Sequence, residues 1–251
     1  MGTLALRRFV CVVSALVTLL PYAAHAGQGR AQAPPAAPVI SGGHDGASAW
    51  MVGRHRQLKV TKRFDAHART VAVDLEAPND RVHLAVAADR VAVTRQGRSI
   101  VLDSAEALAA VQQLLGGSPA VVLLRELLSQ FESESALHAP DMSLLSTAAF
   151  VASLVGDSHA PRRLSDRFVA KHRGFFRQVN GSGGATCWQE YTVEVTNAWD
   201  DLQNCMDEAD QDVWWWSPFR RVACNGVWLM RSESAWFEYL KCLSPMSTLQ
   251  P

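Results

Sequence analysis

The chain of 251 residues carries no surplus charge of either sign: 24 Lys+Arg stand against 24 Asp+Glu, and the pI is near 7.1. A protein that grips phosphates needs an excess of Lys and Arg, so a nucleic-acid partner is excluded. The sequence also lacks a G-x-S-x-G elbow, an H-E-x-x-H pair, a P-loop and a G-x-G-x-x-G loop, the short motifs that announce a reaction or a cofactor. It has no C-x-x-C pair, which speaks against thiol–disulfide exchange and against a structural zinc site. Carboxylates at calcium-loop offsets around a central glycine are missing too. No cofactor, metal site or catalytic residue is assigned. Histidines are scattered one at a time. His67 and His83 would approach each other if neighbouring strands pair. Asp157, Ser158 and His159 are suggestive only as a run, because catalytic groups converge from different parts of a fold.

What is there begins with a patterned N-terminus. Arg7 and Arg8 precede an apolar run from Phe9 to Leu20, then Pro21 and the small-residue site Ala24-His25-Ala26. This order predicts a secretory signal peptide over residues 1–26, cleaved after Ala26, and hence a secreted or periplasmic protein. The apolar run falls short of the ~20 residues that span a bilayer. Four cysteines then remain, Cys187, Cys205, Cys224 and Cys242. In an oxidising compartment, four cysteines without close pairing read as two disulfides.

Composition divides the remainder. Residues 27–48 are rich in Pro, Ala and Gly and read as a linker. Residues 49–179 read as an α+β domain. Apolar residues alternate from about Leu58 to Asp103 (Val71, Val73, Leu75; Val82, Leu84, Val86; Val91, Val93), with turn residues at Ala77-Pro78-Asn79-Asp80 and Gln96-Gly97. That pattern predicts a short antiparallel β-meander with one covered face. About four helices follow. Ser104 caps Ala105 to Leu115, and Ser118-Pro119 opens Ala120 to Phe131, whose apolar surface marks it as the element that closes the sheet. The third runs from Met142 to Val155 and the fourth from Pro161 to Val179, the latter with a basic face of Arg162, Arg163, Arg167 and Lys171. Residues 180–186, with Gly181, Gly183 and Gly184, form a hinge. A minor alternative is proteolytic release of a Cys/Trp-rich peptide near Gly183-Gly184.

The final segment, 187–251, holds an internal near-repeat. Cys187 to Cys205 and Cys224 to Cys242 both read C-x3-aromatic-x6-A-W-x5-C. At ~3.6 residues per turn, cysteines 18 positions apart share one helix face. Two such helices in a hairpin pack antiparallel, so Cys187 pairs with Cys242 and Cys205 with Cys224. The third connectivity would require parallel helices, and cysteines five turns apart in one helix are separated by roughly 27 Å and cannot meet.

Between the helices lie the acidic run Asp207 to Asp212, then Trp214, Trp215 and Trp216, then Phe219, Arg220 and Arg221. Three consecutive tryptophans cannot all face one core. Tryptophan beside arginine is the composition of a contact site, so these six residues are the expected binding site for a protein, a glycan or a membrane surface. The formal neutrality is itself a cancellation. Residues 27–179 carry 18 basic and 14 acidic groups, whereas residues 180–251 carry 4 and 10. Intramolecular docking of the acidic hairpin on the basic helix therefore competes with an external partner. The preferred expectation is an exported, non-enzymatic binding protein. The alternative is an exported hydrolase or transferase with its active site between sheet and helices.

Overall fold

The computed structural model describes residues 38–87, 89–133, 139–179, 186–212 and 217–243. The expected signal peptide, most of the linker, hinge residues 180–185, His138 and the three tryptophans Trp214, Trp215 and Trp216 lie outside the described residues.

Seven strands form one antiparallel meander in sequence order: β1 (Val39–His44), β2 (Ser48–His55), β3 (Leu58–Asp65), β4 (Thr70–Ala77), β5 (Asp80–Val86), β6 (Val91–Arg95) and β7 (Arg98–Leu102). The turns take the left-handed backbone that tight hairpins demand, at Arg56, Arg69, Asn79, and the Gln96-Gly97 pair. Alternation then does what period two requires. Leu58, Val60 and Phe64, Val71, Val73 and Leu75, Val82, Leu84 and Val86, and Val91 and Val93 are buried on one face. The other face carries residues such as Lys59, Thr61, Asp74, Arg81 and His83 and stays solvated.

Six helices follow: α1 (Ala105–Gly116), α2 (Pro119–Ser133), α3 (Ala139–Leu154), α4 (Ala160–Val179), α5 (Cys187–Asp210) and α6 (Ser217–Leu243). Ser104 caps α1 through the Ala107 N–H at 3.1 Å. Asp80, at the start of β5, fastens the α1–α2 corner. It accepts from Arg95 Nε at 2.8 Å, Ser118 Oγ at 2.5 Å and the Ala120 N–H at 3.1 Å. Arg95 in turn donates to the carbonyls of Leu114 and Gly117, groups that a helix end otherwise leaves bare.

One feature differs from the sequence-based expectations: the stretch read as linker to residue 48 already contains β1 and the first residue of β2. Gly42 and Gly43 are poor strand formers in isolation, but here the absent side chains are needed. A Cβ on Gly42 would sit 2.9 Å from the Trp50 carbonyl oxygen, and one on Gly43 would sit 3.0 Å from the Trp50 ring. As its apolar sequence predicts, α2 lies on the sheet against β3, β4 and β5, with Leu124 and Leu127 fully buried and Val122 49% exposed. In α3, Leu144, Leu145, Ala148, Ala149, Phe150, Val151, Ala152 and Leu154 are all buried, so this helix is enclosed by its neighbours. Its hydroxyls are satisfied locally, with Ser146 and Thr147 bonding the Ser143 carbonyl and Ser153 that of Phe150.

The C-terminal pair is a disulfide-stapled antiparallel helical hairpin, with Cys187 bonded to Cys242 and Cys205 to Cys224. Thr186 starts α5 with a capping box closed by Gln189. Trp228, Leu229, Trp236 and Phe237 of α6 belong to the same apolar core as the sheet and α3.

Candidate binding surface on the stapled hairpin

Of the six residues expected to bind a partner, the described ones flank the tip of the hairpin. Phe219 is half-buried against the core. Arg220 reaches Asp212 at 2.6 Å, with Glu208 at 3.8 Å, and Arg221 donates to Asp210 at 2.7 Å. Acidic residues at the end of α5 oppose its dipole, and the two arginines answer that charge from the start of α6. Two ion pairs thereby join the end of α5 to the start of α6 near the Cys205–Cys224 bridge.

Between the two disulfides, the outer side of the hairpin forms a groove of about 760 Å³ against the β3–β4 turn. Phe64, Met230 and Phe237 make its buried apolar floor, and Val227 remains 37% exposed within it. Its polar residues divide into two sets. Arg231 is paired with Asp201, and Glu238 with Lys241. Glu190 and Glu194 on α5 are exposed carboxylates one turn apart, a like-charge spacing that costs the helix about 0.2–0.5 kcal/mol. Arg69 stands in the β3–β4 turn with φ of 50°, a conformation that glycine adopts without strain and arginine does not.

A second polar cluster is sealed inside the protein. Lys62 Nζ lies 2.5 Å from Glu233 Oε1 and 2.7 Å from Ser143 Oγ, and it also donates to the Ser143 carbonyl. Ser146 Oγ donates to Glu233 Oε1 at 3.0 Å, and Ser143 Oγ to Oε2 at 3.3 Å. The side chains of Lys62 and Glu233 are 2% and 1% exposed. Burial pushes the Lys62 ammonium below the usual lysine range, against the pull of the Glu233 carboxylate. Burial, then the same carboxylate, pushes the Tyr191 phenol well above its ordinary value. A hydroxyl beside an amine is a nucleophile–base geometry in form, but these groups do not line the groove. What the cluster does is tie β3, α3 and α6 together. Period two did mark Lys62, since it shares the parity of Leu58, Val60 and Phe64. Glu233 likewise falls on the stripe of Leu229, Trp236 and Phe237. Only the pairing of the two was beyond the pattern.

Among the described residues, His67 and His83 do not come together. His83 faces Asp74 across β4 and β5 at 3.2 Å, whereas His67 sits in the β3–β4 turn. Asp157 is held by a bidentate Arg163, whose hydrogen bonds keep its carboxyl below the usual range against the effect of burial. The Ser158 carbonyl accepts from Asn225, and the His159 carbonyl from the Arg163 N–H. Among the described residues no three His, Cys, Asp or Glu side chains are grouped to hold a metal ion, and no single helix is long and apolar enough to cross a membrane.

The two intramolecular disulfides suggest an oxidising environment, extracellular or periplasmic. The chain matches no protein-family model, curated protein or solved structure.

Proposed function

We propose that this protein is an exported, non-enzymatic binding protein that uses the stapled hairpin as its recognition surface. The groove between the two disulfides carries this reading, because Glu190, Glu194 and Arg69 line it without an ion pair among the described residues and Val227 stays 37% exposed within it. A concave surface with an apolar floor and a few unspent polar groups is the usual form of a binding site, and the disulfides fix α5 and α6 to each other along it. In sequence Trp214, Trp215 and Trp216 fall between α5 and α6, and their composition supports a further contact from this segment. The class of occupant is a protein, glycan or membrane surface.

The experiment is a binding screen of the secreted, oxidised chain on a peptide library, a glycan array and vesicles of anionic or zwitterionic lipid. Val227→Asp and, separately, alanine at Trp214, Trp215 and Trp216 are expected to abolish the captured interaction while near-ultraviolet circular dichroism stays native. Unchanged binding by both variants overturns the assignment. So does turnover on a panel of esters, peptides and glycosides.

A further inference from the structure

Edge strands in soluble proteins are usually blunted by charge, proline, a bulge or a cover. β1 has the sequence VISGGH, without charge or proline, and its register with β2 runs unbroken from Val39 opposite Arg54 to His44 opposite Ala49. Among the described residues it has a strand neighbour on one side only. The Asp45 N–H donates to the Ser48 carbonyl at 3.0 Å. Bonded and non-bonded pairs alternate along an antiparallel ladder. Gly43 with Trp50 and Ser41 with Val52 are therefore the bonded pairs, and Ile40 and Gly42 direct their N–H and C=O groups outward. On the solvated face of this edge Val39 is 72% exposed and Trp50 45%, the only large apolar side chains of the described strands so open. The Trp50 indole lies over Gly43.

We propose that β1 pairs antiparallel with β1 of a second copy of this chain, about a two-fold axis at Ser41, so that two sheets become one. In that register Ile40 meets Gly42 of the second copy and exchanges both outward backbone bonds with it, and symmetry repeats the exchange. Val39 falls opposite Gly43 of the second copy, where the Trp50 indole awaits it. The most exposed apolar side chain of the sheet is thus matched to the one position whose own side chain is missing and whose neighbour supplies an aromatic surface. A slip of one residue turns Val39 to the other face, and a slip of two sets it against Ser41. The strand is complementary to itself, and with no charge on it nothing repels a copy.

Sedimentation velocity of the secreted, disulfide-bonded chain over rising concentration tests this, with Ser41 as the lever because it is exposed and touches no core. The expected result is a concentration-dependent dimer. Ser41→Lys, which sets two ammonium groups face to face on the axis, returns it to the mass of one chain with unchanged circular dichroism. Mixing Ser41→Lys with Ser41→Glu restores the dimer. At a non-bonded pair the two Cα atoms stand about 4.5 Å apart, within disulfide reach. Ser41→Cys is therefore expected to give a covalent dimer, with peptide mapping placing the bridge between the two introduced thiols. One-chain mass at every concentration overturns the proposal, as does a dimer indifferent to Ser41→Lys. Capture of a foreign extended segment by a β1 that never self-associates also overturns it.

Discussion

Lys62 and Glu233 come from positions 171 residues apart and meet with almost no water around them. Desolvating two ions costs several kcal/mol each, and their attraction offsets this only because Ser143 and Ser146 complete the hydrogen bonding. Removal of one partner is therefore worse than removal of both. Glu233→Ala is expected to destabilise by about 3–5 kcal/mol by leaving a buried ammonium unpaired, whereas Lys62→Met with Glu233→Leu restores most of the loss. Urea denaturation with the disulfides intact reads both. Equal destabilisation by the single and double changes would show that shape, not charge, matters there. Asp80 offers the pH counterpart. Burial opposes its ionisation, but the bonds from Ser118, Arg95 and the Ala120 N–H outweigh it and hold its carboxyl below the ordinary value. With the folded pKa below the unfolded one, the contribution of Asp80 is present above about pH 4 and is lost as pH falls through the folded value. Asp80→Asn is expected to lower stability by about 2 kcal/mol at pH 7 and to leave a smaller difference from the parent protein at pH 2. Denaturant melts at both values measure it, and an undiminished difference at pH 2 refutes the assignment.

The helical hairpin is the element most fully legible in the sequence, because five helical turns between like cysteines leave one sterically simple pairing. The meander was legible for the same kind of reason, through alternation of valines and leucines. β1 was not, because two glycines and a proline-rich approach carry no strand signal. Their reason lies on the neighbouring strand, in Trp50, whose carbonyl crowds a side chain at Gly42 and whose ring crowds one at Gly43. In α3 the hydroxyls of Ser143, Ser146, Thr147 and Ser153 are buried without cost, because each bonds within its own helix or to the buried ion pair. The groove lay beyond reach because its walls are neighbours only once the β3–β4 turn is set against the hairpin. For the staples, loop entropy predicts an order. The bridge spanning 55 residues contributes about 4 kcal/mol and the one spanning 19 about 3, less than additively because the loops are nested. Replacement of Cys187 and Cys242 by serine is thus expected to cost more than the same change at Cys205 and Cys224. Chemical denaturation ranks the two, and a reversed order would show that native-state geometry dominates loop length.

At the scale of the whole molecule, the opposite charges of body and hairpin invite the idea that electrostatics joins them. The contacts argue otherwise. The hairpin satisfies much of its own charge, through Arg220 with Asp212, Arg221 with Asp210, and Arg231 with Asp201. Toward α4 it offers an Arg162–Asp207 pair at 3.7 Å and a Trp199 N–H to Asp166 at 2.8 Å, both at the surface, where ion pairs are worth about 0–1 kcal/mol. Against these stand Trp228, Leu229, Trp236 and Phe237, each almost wholly buried with the sheet and α3, and each such burial is worth about 1.5–3 kcal/mol. Apolar contact decides the union by a wide margin. Unfolding is therefore expected as one transition, with near-ultraviolet signals from the hairpin tryptophans and far-ultraviolet signals from the sheet coinciding. Raising sodium chloride from low to high ionic strength, which collapses the screening length, should move the midpoint by less than about 1 kcal/mol. A hairpin that melts separately, or that comes away in salt, would mean that charge rather than the shared core holds it.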